Sequence, residues 1–319
     1  MSNDTMQEDQ DGPVSPDEHK LAREETARRG QDTEVEIFDG VRGQDGGPVL
    51  PVRLQPQDMF CFSCHRGVSC WNKCCHGTDV TLTPHCILRL SRRFDLRPAE
   101  FLERYTVPGI WEKAGLPVAK LKMGGENREG PCIFLHEEDG CTVYEDRPAT
   151  CRYYPLGLAA VKLKDSDDKA KFHFLVKEPH CKGHDEDKLQ SVEQFRREQE
   201  VQAYDEVNEG WMDILMKMAS WKTVGGPQGR DVSAQTKQMF YMVSTDVEAF
   251  RRFVFETRFL QVYEIDPKAH EVLKFDDVVL LKLGFDWLKN VLFNEPTIAM
   301  RESVLQESIA ATRAEMGAT

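Results

Sequence analysis

The chain has little that would tie it to a membrane, to nucleic acid or to a common nucleotide fold. No stretch approaches the ~18–20 apolar residues of a spanning helix. The densest apolar run, Val278 to Leu283, is interrupted by Lys282 and soon followed by Gly284 and Asp286. The opening MSNDTMQEDQ has neither a basic nor an apolar region and does not read as a secretory leader. Positive charge is scarce, with 41 Lys and Arg against 54 Asp and Glu and a net charge of −13. Such a chain repels phosphate backbones and anionic headgroups unless it concentrates basic residues on one face. Only doublets such as Arg92-Arg93 and Arg251-Arg252 are present, and these read as solvated helix faces. No GxGxxG follows a strand, and there is no P-loop or nucleophile elbow. No CxxxCxxC occurs either, because Cys70 and Cys74 are followed by Gly77 where the third cysteine would stand. That removes the radical S-adenosylmethionine signature. The expectation is a cytoplasmic protein without nucleic-acid or membrane partners, for which a protein partner or protein substrate remains open.

Cysteine is also missing from most of the chain. All ten lie between Cys61 and Cys181. Cysteine used merely as a small core residue would be scattered. In a reducing compartment, clustered cysteines serve metal or catalysis more often than disulfides. Cys61 and Cys64 form a CxxC turn, Cys70 follows, and Cys74 and Cys75 are adjacent. Two thiolates three residues apart on a tight loop can reach one metal ion or two irons of one cluster. Thiolates suit zinc and iron–sulfur clusters, not magnesium or calcium. Adjacent side chains diverge, so Cys74-Cys75 fits two irons of a cluster, or two sites, better than one tetrahedral ion. Cys132, Cys141, Cys151 and Cys181 are far apart in sequence and can join a site only through folding. Cys86, beside Ile87 in a predicted helix, reads as a small buried residue. His65, His76, His180 and His184 neighbour cysteines and read as solvated or supporting residues. Arg147 and Arg152 could offset thiolate charge, and Tyr153-Tyr154-Pro155 reads as packing.

The rest of the pattern organises the chain into three parts. Residues 1–55 hold 13 acidic and 6 basic residues and almost no aromatics, as a disordered acidic tail would. Residues 56–190 carry the cysteines. There, Val80-Thr81-Leu82 is strand-like, and Thr83-Pro84 is an N-cap followed by proline at the first helical position. A second short helix opens at Pro98. Cys132 to Leu135 and Cys141 to Tyr144 predict one hairpin, and Leu158 to Leu163 with Phe172 to Val176 predict another. Residues 191–319 read as helical, over Ser191 to Met218, Ser233 to Tyr263 and Asp276 to Phe293. Gly225 to Gly229 reads as a linker. The fold expected is α+β: a small cysteine-rich metal-binding domain of short helices and hairpins, then a mainly α-helical C-terminal region.

The order of several short pieces resembles a known family. They are Phe60-Cys61, Cys74-Cys75, Leu82-Thr83-Pro84 with Ile87 to Leu90, Glu100-Phe101-Leu102, Cys132-x-Phe134-Leu135, Gly140-Cys141-x-Val143-Tyr144, Arg147-Pro148-x-x-Cys151-Arg152-x-Tyr154-Pro155 and Cys181-x-Gly183. Over roughly residues 58–185 the chain is similar to the YkgJ-like cysteine-cluster family, the "putative zinc- or iron-chelating domain". The segment from Cys64 to Cys74 is longer than in the commonest family pattern, so Cys61, Cys64 and Cys70 all stay candidates. The metal candidates are therefore Cys61, Cys64, Cys70, Cys74, Cys75, Cys132, Cys141, Cys151 and Cys181, enough for two four-cysteine sites. The residues and the resemblance together point to an iron–sulfur cluster, 4Fe-4S, with zinc or iron alone as the rival. The family includes flagellin lysine N-methylases, and that resemblance implies S-adenosylmethionine and a cluster-dependent methyltransferase as an alternative. A non-catalytic metal carrier or regulator is the third reading.

Overall fold

The computed structural model describes residues 53–162, 169–223 and 232–315. Most of the acidic N-terminal segment and the Gly225 to Gly229 linker lie outside the described residues. The fold is mixed, with short antiparallel strands and a helical C-terminal region. Among the described residues no helix is long and apolar enough to cross a membrane. The chain divides into two compact units, each assembled from two separated segments. One combines residues up to Thr78 with Tyr153–Glu200, and the other combines Asp79–Arg152 with the chain from Val201 onward.

The first unit is built on strand pairing. β1 (Arg53–Leu54), β8 (Lys169–Leu175) and β7 (Leu156–Lys162) form an antiparallel sheet in that order. The β7–β8 hairpin occupies the region the alternation predicted, between the ends of a polar loop. β2 (Met59–Cys61) pairs antiparallel with β9 (Leu189–Ser191), placing Cys61 opposite Leu189. Ser191 then caps α4 (Val192–Glu198) by accepting the Gln194 amide. Leu54, Phe60, Phe62, Leu156, Leu175, Val192 and Phe195 form the core, with Cys181 and Tyr154 packed at its margin.

In the second unit, Thr83 caps α1 (Pro84–Arg93) as its sequence predicted, accepting the Cys86 amide with Pro84 at the first helical position. α2 (Pro98–Tyr105) also opens at its proline. Between them and the later helices runs a hairpin the periodicity did not signal, β3 (Thr106–Trp111) with β4 (Leu116–Leu121). Its strand β3 contains Pro108 and Gly109, which disguise a strand in sequence. The hairpin expected at Cys132 to Tyr144 is present but shorter. Its strands are β5 (Leu135–His136) and β6 (Gly140–Cys141), turning on Gly140 at φ 79°. Cys132 instead bridges Met123, and Tyr144 opens a tight helical turn to Asp146. That turn is held to α1 by Asp146, which accepts from both Arg89 and Arg93.

The C-terminal helices follow the apolar period. The expected Ser191 to Met218 helix is two helices, α4 and α5 (Val201–Thr223), separated where Glu200 adopts a left-handed φ of 52°. On α5, Tyr204, Val207, Trp211, Ile214, Leu215 and Met218 recur at 3- and 4-residue steps and are buried. From Val207 onward they meet α6 (Ala234–Thr245), α7 (Val247–Glu256) and α10 (Asp277–Phe293) in one core, whereas Tyr204 packs with Leu82, Ile87 and Phe101. Trp211 Nε1 donates to Ser244 Oγ there at 3.1 Å.

Gly284 lies inside α10 because nothing larger fits. A Cβ at this position would stand 2.7 Å from Val243 Cγ1 and 3.0 Å from Phe250 Cε1, and both residues are fully buried. Gly284→Ala gains about 1 kcal/mol in helix propensity, but overpacking a closed core costs about 1–3 kcal/mol. The second effect is expected to win, so the variant's urea midpoint should fall. A midpoint at or above the parent's would show that the helices can separate at little cost.

His85 gives the second unit a pH dependence. It is buried on α1 and its ring packs 4.8 Å from that of Tyr204. Burial, assisted by the charges of Arg89, Arg92 and Arg152, lowers its pKa to about 4. The unfolded chain therefore binds a proton that the folded chain refuses. Stability should be full above about pH 6.5 and fall as pH drops towards 4, by an amount on the order of 2 kcal/mol. Urea midpoints measured at pH 7.5 and 5 should differ less for His85→Gln than for the parent.

Candidate metal centre

The first unit gathers thiols from two distant stretches by continuing the β2–β9 pairing beyond its strands. Phe62 N donates to Lys188 O, and Ser63 N donates to Gly183 O, both at 3.0 Å. The Gln190 side chain donates to Phe62 O at 2.6 Å. These bonds lay Phe62-Ser63 along the turn Gly183–Asp185, and Cys181 precedes that turn directly. Gly183 is required by the close approach: a Cβ there would stand 2.7 Å from Ser63 O and 2.7 Å from the Phe62 ring. This supplies the physical reason for the Cys181-x-Gly183 spacing.

After Ser63 the chain winds through consecutive tight turns. Val68 N donates to His65 O, Trp71 N to Val68 O, Lys73 N to Cys70 O and Cys75 N to Asn72 O. Asn72, with φ 66°, starts the single helical turn Lys73–Cys75. This winding takes up the long interval between Cys64 and Cys74. It brings Cys70 to the opposite segment, where Lys182 N donates to Cys70 Sγ at 3.0 Å.

The thiols of Cys64, Cys70, Cys74 and Cys181 consequently feel one another's charge. Cys64 is exposed as a residue, yet its thiol is pushed up to about 11, first by burial of the sulfur and then by Cys74, Cys70 and Cys181. Burial likewise raises Cys181, opposed by the Tyr154 hydroxyl and the Gly183 amide. Cys74 is lowered to about 7, chiefly because the Cys75 thiol hydrogen-bonds to it, with His180 assisting and burial and Glu178 opposing. Burial and neighbouring thiolate charge thus hold Cys64 and Cys181 in the protonated form. Among the described residues no three Cys, His, Asp or Glu side chains already stand at the spacing of one ion's ligands.

Two buried polar atoms beside the thiols lack hydrogen bonds. They are Tyr154 Oη and Glu178 Oε2. The Tyr154 hydroxyl faces Cys181 and Glu178, without completing a well-formed hydrogen bond to either, and burial pushes its ionisation further out of reach. Four thiols with an orphaned carboxylate are a donor set that fits a thiophilic cation in kind.

The remaining candidates fall elsewhere. Cys61 is buried in β2. In the second unit, Cys132 and Cys141 both pack against the core containing Phe134, and Cys151 is exposed on α3 (Ala149–Tyr153). Cys86 is fully buried, its sulfur accepting the Ala149 amide at 3.2 Å and the Thr83 hydroxyl at 3.1 Å. Arg147 donates to Tyr144 O and Arg152 to Glu145 O, each at 2.6 Å, and Arg147 feels the charge of Cys141.

Residues 63–185 match the sequence profile of the CxxCxxCC family, described as a putative zinc- or iron-chelating domain. No curated protein and no solved structure matches the chain. The matched stretch includes Cys64, Cys70, Cys74 and Cys181, the four cysteines of the second unit and Gly183. Sequence reading passed over Glu178 and assigned Tyr154 to packing. The signal was available: Glu178 stands three residues before Cys181, and its carbonyl accepts the Cys181 amide at 3.0 Å.

Gly183→Ala should push Ser63 away from the turn. Its expected cost is about 1–3 kcal/mol, read as a lower urea midpoint for the chelator-treated full-length chain. An unchanged midpoint would show that the two segments are less tightly joined than their geometry indicates.

Proposed function

We propose that the protein binds metal through the thiolates of Cys64, Cys70, Cys74 and Cys181, and that the bound group is an iron–sulfur cluster. The observation that carries this reading is the meeting of four thiols from two stretches more than a hundred residues apart in sequence. Burial and neighbouring thiolate charge oppose the ionisation of Cys64 and Cys181, and a cation among the thiols would remove that opposition. The match to a zinc- or iron-chelating family supports the metal class. The preference for a cluster rests on Cys75, a fifth thiol hydrogen-bonded to Cys74, which a neighbouring iron would accept and one tetrahedral ion with four thiolates has no place for. When bound, the group would supply Lewis-acid or electron-transfer chemistry. The chain's own part is to hold the thiols together, to shield Cys181 and to donate the Lys182 amide to Cys70.

The test is anaerobic purification followed by iron, zinc and acid-labile sulfide analysis with a visible spectrum. Iron and sulfide together with broad visible absorption are expected. Serine at any of the four positions should reduce metal content severely, whereas Cys86→Ser should leave it unchanged. One zinc per chain without sulfide would replace the cluster by a zinc site, and a metal-free chain would end the proposal.

A further inference from the structure

Beside the four thiols stands a pair that the cysteine pattern does not explain. Glu178 is only 8% exposed, yet its Oε2 has no hydrogen-bond partner. That oxygen lies 3.4 Å from Nε2 of His180, which is partly exposed. Pro179 between them restricts the backbone, and the Cys181 amide bonds to the Glu178 carbonyl, so the pair is fastened to Cys181 by one turn. Both charges reach Cys74, the carboxylate opposing its ionisation and the imidazole favouring it. A carboxylate buried with an unsatisfied oxygen is destabilising, and placing it among thiols makes that worse. A structural ion pair would close this gap with a formed hydrogen bond. A metal site tolerates it, because histidine ligands characteristically give their second ring nitrogen to a carboxylate that fixes their orientation.

We infer that Glu178 and His180 form a carboxylate–histidine arm of the metal site: the carboxylate grips one ring nitrogen of His180, and the other nitrogen serves the metal beside the thiolates. This rests on the metal reading above. It makes the donor set mixed, cysteine with histidine, the imidazole taking the place of one of the four thiolates at a four-coordinate ion. An imidazole in a thiolate shell lowers its negative charge, and at an iron–sulfur centre it raises the potential. Glu178 is in this scheme a positioning residue and His180 a ligand.

The test uses the full-length chain, Zn²⁺ competition against a chromophoric chelator, and the visible spectrum of the Co²⁺-substituted protein. Parent, Glu178→Gln, His180→Ala and the double variant are compared. Glu178→Gln should weaken Zn²⁺ binding about 10–100-fold. His180→Ala should weaken it at least as much and shift the Co²⁺ ligand-field bands, leaving the thiolate-to-metal intensity in place. The double variant should match His180→Ala, because the two residues act as a unit. Chelator-treated Glu178→Gln should be as stable to urea as the parent or more so. If the parent binds zinc and the variants bind it equally well, the arm is overturned while the thiolate site stands. Additive losses, or lost apo-stability with unchanged zinc affinity, would also overturn it. If Glu178→Gln fails to fold, the partly exposed His180 carries the decision, and unshifted Co²⁺ bands in His180→Ala overturn the arm. A parent that takes up no metal ends both this inference and the thiolate reading.

Discussion

The candidate site depends on one backbone contact. Ser63 and Gly183 approach so closely that no side chain fits between them, and their hydrogen bond extends the β2–β9 pairing past its last residues. Strand pairing fixes register, and register fixes which residues oppose one another. Here it sets Cys181 beside the turns that carry Cys64, Cys70 and Cys74. The apolar packing of Phe60, Phe62 and Phe195 supplies the driving force. Without the hydrogen-bonded seam those rings could still collapse, but the thiols would have no common address.

The electrostatics then turn proximity into chemistry. Burial and mutual charge keep Cys64 and Cys181 protonated, while the Cys75 thiol draws Cys74 towards ionisation. The set is poised unevenly: Cys74 is drawn towards ionisation while Cys64 and Cys181 are held back. In the proposed site a cation would displace those protons, since metal ligation requires the deprotonated thiolates. The buried Glu178 carboxylate adds to the same imbalance, which apolar packing cannot relieve.

The second unit follows a different logic. Its stability comes from an aromatic and aliphatic core around α5, α7 and α10, closed by Gly284. The arginines of α1 and the buried Arg147 and Arg152 around the Tyr144–Asp146 turn are absorbed by backbone carbonyls, by Asp146 and by the Tyr204 ring. Arginine tolerates this because its planar group spreads charge and stacks on aromatic faces. The charge that sequence reading offered to the thiolates is, for Arg147 and Arg152, spent largely on holding a turn.

Local signals were legible wherever the chemistry is local. Thr83-Pro84 announced α1, Pro98 announced α2, and the 3- and 4-residue apolar steps announced the C-terminal helices, because capping and amphipathicity act within a few residues. The confinement of ten cysteines to one stretch announced thiol chemistry, and the ordered short pieces announced the family. The β3–β4 hairpin stayed hidden because Pro108 and Gly109 carry weak strand propensity and only cross-strand bonds reveal them. The same holds for Glu178, an ordinary glutamate until the fold buries it beside Cys74. The sequence by itself determined which donors the protein has and that a soft metal suits them. Tertiary structure decided that the segment carrying Cys70 lies against Lys182, next to Cys181, since pairing between residues more than a hundred positions apart is a property of register and burial that no local pattern encodes.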